Sequence, residues 1–274
     1  MRIKKKLEHL LPWSRAGKQF SRRGILIGLA LCFLLALGVR IFAWQIEPTI
    51  SRDGIYYINK AEILQLDDND PKKIELIASN DTLHFYCAYI ACGAFNLSPE
   101  QLGLGTNILL GALLPGIFFG IIWLLFKNSE LALATAILAA VHPKLVEYSI
   151  VIQREMPYLF CCGLFFLFLI LFFKSGKWYW SILIGLTSTM GCFFRYEGIE
   201  LWVIALIVFA VYFIIDRTRR LKNLIGFAVF TAFSLLCLVG CLMVIHQSPE
   251  KIMDTMLKKT VTYTRKSLYN PGTE

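Results

Sequence analysis

Runs without a single charged side chain dominate this chain: 25–39, 104–126, 156–173 and 223–245. Each approaches or exceeds the ~20 residues that a helix needs to cross a hydrocarbon core about 30 Å thick. The pattern predicts seven spans, at 24–44, 104–126, 130–151, 156–174, 178–195, 198–215 and 223–245. The third is irregular. Only 131–141 is uniformly apolar, and His142-Pro143-Lys144 follows, so a kink is expected at Pro143 if the helix is to continue. The stretch 82–97 is too short to join the set. Its apolar part, 85–95, would rise only about 16 Å as a helix, and it is expected to lie along or dip into the membrane surface. The predicted fold class is an all-α polytopic membrane protein with interfacial helices in its first outer loop.

Composition agrees with that pattern. Of 274 residues, 57% are hydrophobic and 17% charged, with a mean hydropathy of +0.60. A soluble domain has about 45–50% apolar and about 25% charged residues, so one aqueous core cannot hide these side chains. A soluble enzyme, a secreted disulfide scaffold and a free nucleic-acid binder are excluded. The eight cysteines contain no C-x-x-C, and most fall inside predicted spans, where a thiol behaves as a small apolar group.

Charge placement sets the orientation. Residues 1–23 carry eight Lys or Arg against Glu8 alone, whereas 45–81 hold eight acidic and four basic residues. If 82–97 does not cross, Lys127, Lys174, Lys177, Arg217, Arg219, Arg220 and Lys222 fall on the side of the N-terminal arm; if it crosses, all of them move outside. The positive-inside rule prefers the first arrangement. Residues 1–23 then form a basic cytoplasmic arm, 24–245 a transmembrane module with an outer loop 45–103, and 246–274 an extracytoplasmic tail. No small-residue cleavage site follows the first span, so it reads as a retained anchor. The expected location is the inner (plasma) membrane of a bacterium, with the active face extracytoplasmic, although composition alone does not separate that membrane from the endoplasmic reticulum.

Ionisable groups near membrane depth are costly and need a reason. Asp53 opens the string Arg52-Asp53-Gly54-Ile55-Tyr56-Tyr57, ahead of a helix whose apolar side would be Ile55, Ile58, Ala61 and Leu64. It could cap that helix, or sit at the membrane surface as a general base. His142 and Lys144 are donors suited to a lipid phosphate, although Lys144 and Glu147, three apart, could instead pair. Glu155 precedes a long apolar span, where the helix dipole favours an acid. Arg195-Tyr196-Glu197-Gly198 fills a tight turn, and an arginine fork grips phosphate better than lysine does. Topology places the first outer loop and these two tips on one face.

In order along the chain, these strings resemble the amino-terminal module of the GT-C glycosyltransferases, the superfamily of protein O-mannosyltransferases and the lipid A aminoarabinose transferase. The carriers are Arg40, Arg52-Asp53-Gly54, Tyr56-Tyr57, His84-Phe85-Tyr86, Asn96-Leu97-Ser98-Pro99-Glu100, His142 through Ser149, Glu155 and Arg195-Tyr196-Glu197-Gly198. The likeness spans about 24–245. It implies a transferase that takes a sugar from a polyprenyl-phosphate donor at the outer leaflet and passes it to an acceptor hydroxyl on a glycan, lipid or protein. By that resemblance Asp53 is the general base that activates the acceptor and Glu155 a second catalytic carboxylate, and Arg195, Lys144, Arg52, His84 and His142 bind the donor phosphate. Family members often pair Asp with Glu in the first loop, where this chain has Asp53-Gly54, which leaves a divalent metal requirement open. The tail ends without a closing element, which implies a truncated chain or a protein partner that supplies a carboxy-terminal module. The alternative is a non-catalytic lipid-phosphate-binding subunit or scaffold. A transporter is disfavoured because the charges gather towards one face.

Overall fold

In a computed structural model, residues 20–48, 50–78 and 85–244 are described; the N-terminal arm to residue 19, His84 and the tail 246–274 lie outside them. These residues are helical throughout, with no strand among them. The helices are α1 (Arg22–Ile46), α2 (Arg52–Leu64), α3 (Pro71–Ala78), α4 (Phe85–Ile90), α5 (Pro99–Phe126), α6 (Ser129–Val141), α7 (Pro143–Ile150), α8 (Glu155–Ser175), α9 (Tyr179–Phe194), α10 (Ile199–Ile215) and α11 (Arg220–Val244).

Local chemistry sets their ends. Ser21 caps α1 by accepting from Gly24 N. Ser98 and Gln101 form a reciprocal capping box at α5, with Pro99 at its first position, where a missing N–H costs nothing. Asn128 accepts from Glu130 N and Leu131 N to start α6. The break between α6 and α7 falls at His142, held extended (φ −62°, ψ 120°) ahead of Pro143. The two halves bend by 50°, so the expected kink is present.

Among the described residues, five helices are long and apolar enough to cross a bilayer, and the bent α6–α7 pair would make a sixth. α9 has 16 residues, about 24 Å of helix, short of a full hydrocarbon core. α4 has six residues and cannot cross, in keeping with the reading of 82–97. Large apolar side chains coat the outside of the bundle: Leu138 is 68% and Ile215 74% exposed. Water would penalise such a surface, and lipid would not. This is an integral membrane protein.

Inside, α1, α5 and α6 pack through small residues, with Ala36, Ala112 and Ala140 in one cluster. Close approach of backbones is what such residues permit between helices in lipid. α8, α9, α10 and α11 pack through aromatic rings instead, among them Phe165, Phe172, Phe209 and Phe230. α5 joins the two groups through Leu114 and Ile117, packed on Met156 of α8.

The ends of the bundle differ in charge. At one, Phe20 N donates to Ser129 Oγ, Lys174 Nζ to the Leu124 carbonyl, and Arg219 Nη1 to the Phe173 carbonyl. Arg22, Arg23, Lys127, Lys177, Arg217, Arg220 and Lys222 gather at that end with them. The opposite end carries α2, α3, α4 and the tips at 151–154 and 195–198.

Arg40 is the largest side chain shut away from solvent. It is 0% exposed, well inside α1. Its Nε donates to Ser149 Oγ (2.9 Å), and Nη1 donates to the carbonyls of Ala36 (2.9 Å) and Ala140 (3.0 Å). The break at His142 leaves the last carbonyls of α6 without helical partners, and a cation at that negative helix end is favoured. Gly111 makes the room: a Cβ there would lie 2.6 Å from Arg40 Nε and 2.1 Å from Ser149 Oγ.

Candidate active site at the acidic end

Ser51 caps α2 by accepting from Gly54 N (2.9 Å). Asp53 is therefore not the cap. It stands exposed in the first turn, where the helix dipole favours an acid, and makes no hydrogen bond or ion pair among the described residues. The packed face of α2 is the expected one in part: Ala61 is buried and Ile58 and Leu64 pack against the same cluster, while Ile55 is exposed and Gly54, Tyr57 and Lys60 are buried instead. Tyr57 turned the helix. Its ring meets Tyr86 edge-on at 5.4 Å, and Tyr86 in turn meets Phe194 at 6.4 Å. One aromatic chain thus runs from the helix of Asp53 through α4 to the residue before Arg195.

The first turn of α2 rests on the tip between α7 and α8. A Cβ on Gly54 would come 3.0 Å from the Ile152 carbonyl. That tip is pinned from below by buried Asn107, whose Nδ2 donates to the carbonyls of Val151 and Gln153, each at 2.8 Å. Burial pushes the Tyr57 phenol up to about 12; Arg154 pulls against this, and Asp53 and Glu155 add to it. Those three charged groups therefore lie within electrostatic reach of one buried ring.

Glu155, the first residue of α8, accepts from Arg195 Nη1 at 2.8 Å. Arg195 also grips Glu197 with both edges of its fork, Nη2 to Oε1 at 3.0 Å and Nε to Oε2 at 3.3 Å. The guanidinium lies over the Tyr158 ring at 5.9 Å. Three of its five N–H groups are thus engaged, and the side chain is 28% exposed. The two tips that topology assigned to one face are joined directly.

Asp53, Arg52, Glu155 and Arg195 share this end. Lys144 does not join them: its Nζ pairs with Glu147 Oε1 at 2.6 Å on an exposed face of α7 and lies over the Tyr148 ring. The pairing that the spacing allowed is the one observed. His142 is exposed at the break, and its side chain caps nothing. His84 lies outside the described residues. Among those residues, no three His, Cys, Asp or Glu side chains gather as ligands for an ion. The sequence reading passed over Arg40 as a site residue and missed Asn107, although each is a polar group interrupting an otherwise apolar span, which is itself a signal.

A family model described as dolichyl-phosphate-mannose-protein mannosyltransferase matches residues 87–244, more than half of the chain. The chain belongs to this family. The family is of the GT-C glycosyltransferase type, as the resemblance implied. Among curated proteins, none matches. The matched segment contains His142, Lys144, Glu155 and Arg195 and begins after Arg52, Asp53 and His84. In this mannosyltransferase-family chain, the Glu155–Arg195–Glu197 cluster therefore lies in the family's own segment, while Asp53 lies before it, on a helix whose Gly54 packs against Ile152 of the adjoining tip.

Proposed function

We propose that the protein transfers a sugar from a polyprenyl-phosphate-linked donor to an acceptor hydroxyl at the extracytoplasmic face, with Asp53 as general base. The observation that carries the reading is the position of Asp53: an exposed, unpaired carboxylate on a helix seated against the tip that bears Glu155, within a mannosyltransferase-family chain. A carboxylate placed there can take the acceptor's proton as its oxygen attacks the anomeric carbon. The bond to the polyprenyl phosphate breaks in the same step, and the phosphate leaves with its negative charge.

That leaving charge needs cations. Arg195 offers its two remaining N–H groups, and Glu155 and Glu197 hold its fork in place; Arg52, on the turn beside Asp53, is the second cation. His142 and His84 remain proposed phosphate donors, whereas Lys144, held by Glu147 on α7, could join them only by giving up that pair. The proposal places seven spans in an inner membrane, α9 and the bent pair included, with the basic end cytoplasmic. The acceptor is a glycan, lipid or protein hydroxyl, presented by the chain itself or by a protein partner.

One observation favours a second reading, a non-catalytic subunit that binds lipid phosphate. Arg195 is held by two carboxylates, an arrangement suited to a fixed structural cluster. Donor binding and sugar transfer, measured on the purified chain in nanodiscs with labelled polyprenyl-phosphate sugars, separate the two. The enzyme reading expects Asp53→Asn to bind donor and transfer nothing, and Arg195→Ala to bind donor poorly. If the wild type binds donor without turning it over and Asp53→Asn behaves identically, the catalytic reading fails.

A further inference from the structure

The last two turns of α10 and the first two of α11 diverge and leave a crevice of about 440 Å³ between them. Its walls are Leu206, Phe209, Phe213, Leu224 and Phe227, and its one polar wall residue is Asn223. It lies at the basic end, far along the bundle from the acidic cluster of the candidate active site. Asn223 is 5% exposed, and its Nδ2 has no hydrogen-bond partner among the described residues. A buried amide left without a partner is costly in a bilayer, and a ligand acceptor would remove that cost.

The segment that joins the two walls of the crevice is Asp216-Arg217-Thr218-Arg219-Arg220-Leu221-Lys222, four cations against one acid. Arg219 is used by the fold, donating to the Phe173 carbonyl and lying 3.9 Å from Asp216. Arg220 arches over the crevice: its Nε donates to the Phe213 carbonyl at 3.2 Å and its guanidinium lies 5.4 Å from the Phe213 ring centroid. Arg217 is exposed and forms no ion pair or hydrogen bond among the described residues; the Lys222 side chain is turned away from the crevice, towards Gly176 at the end of α8.

We infer that this crevice is a binding site for an anionic phospholipid of the leaflet at the basic end. The apolar walls run from residue 206 to 214 of α10, about 13 Å of helix, close to half of the ~30 Å hydrocarbon core, which is one leaflet's acyl depth. The headgroup phosphate would meet Arg217 and Arg220, and an ester carbonyl would accept from Asn223 Nδ2. A basic pocket between helices at the cytoplasmic surface is a recurring design for such lipids. The site stands apart from sugar transfer and does not depend on it.

The test is native mass spectrometry of the full chain from detergent micelles containing equal phosphatidylglycerol and phosphatidylcholine. The wild type is expected to retain phosphatidylglycerol in preference. The double variant Arg217→Gln, Arg220→Gln is expected to lose that preference by at least about tenfold. Ala210→Trp, which fills the crevice and leaves every cation in place, is expected to lose the bound lipid too; Leu224→Trp serves if that variant does not fold. Equal retention of the two lipids by the wild type overturns the proposal. So does undiminished phosphatidylglycerol binding in the crevice-filling variants, which would mean a basic surface alone, or a second copy of the chain released by them, which would mean a protein occupant.

Discussion

Replacing Arg40 by methionine tests whether one side chain holds the broken α6–α7 pair together. Methionine fills much of the same volume but donates nothing. Ala36 O keeps its helical partner, and Ser149 Oγ still donates to the Leu145 carbonyl at 2.6 Å. The group left stranded is the Ala140 carbonyl, at the end of α6, where no helical N–H can reach it. A stranded buried acceptor costs about 1–3 kcal/mol. The hydrogen bonds lost, each from a charged donor, are worth about 1.5–3 kcal/mol apiece, but the guanidinium no longer has to be desolvated, which offsets most of them. The net expectation is a loss of about 2–3 kcal/mol.

Arg40→Lys should cost at least as much. A single ammonium cannot serve Ser149 Oγ and Ala140 O, which Nε and Nη1 hold separately, and it leaves a charge buried with fewer partners. The assay is equilibrium unfolding in mixed micelles of dodecylmaltoside and dodecyl sulfate, followed by far-UV circular dichroism. A methionine variant within 0.5 kcal/mol of wild type, or a lysine variant that unfolds with the wild type, would refute the reasoning.

Further predictions follow from the same geometry. Asn107→Leu removes both donors to the 151–153 tip; it is expected to cost about 2–3 kcal/mol and to raise protease cleavage at that tip, while a tip as resistant as wild type would count against its pinning. Glu155→Gln and Glu197→Gln each weaken a partly exposed ion pair, so each should cost less than about 1 kcal/mol in the same unfolding assay, yet donor binding should change because Arg195 is freed or displaced; identical donor affinity in both variants would show that the cluster does not touch the donor. Tyr57 should resist ionisation until about pH 12. An unfolded chain loses that proton near pH 10, so the stability tied to the neutral phenol is complete below about 10 and is lost as the pH rises towards 12. The ultraviolet titration of Tyr57→Phe against wild type should lack one late-titrating phenol, and loss of an early one instead would contradict the burial argument.

Much of the architecture was legible because lipid imposes long uncharged runs, and such runs are visible without contacts. The kink at Pro143 was legible for the same kind of reason: the ring forbids the preceding helical conformation whatever surrounds it. The packed face of α2 was legible only in part: Ile58, Ala61 and Leu64 meet the core as their spacing suggests, but Ile55 and Tyr57 are both apolar enough to point inward, and that choice fell to Tyr86, brought from a distant part of the chain. The convergence of Glu155 and Arg195 followed from topology; that they pair directly, with Glu197 as third partner, depends on the width of the turn at 195–198. Arg40 looked like the border of a span because arginine usually marks one. Its burial required Gly111, Ser149 and a helix end supplied by other segments, and no local pattern reports that.

The central claim is that Asp53 takes the proton of the acceptor. The most direct measurement is turnover of a labelled polyprenyl-phosphate sugar by the purified chain in nanodiscs, wild type beside Asp53→Asn, counting sugar transferred or released to water. Loss of a general base lowers turnover by about 10²–10⁴-fold, with donor affinity and fold unchanged, and that is the predicted result. Asp53→Asn turning over donor at the wild-type rate would contradict the account.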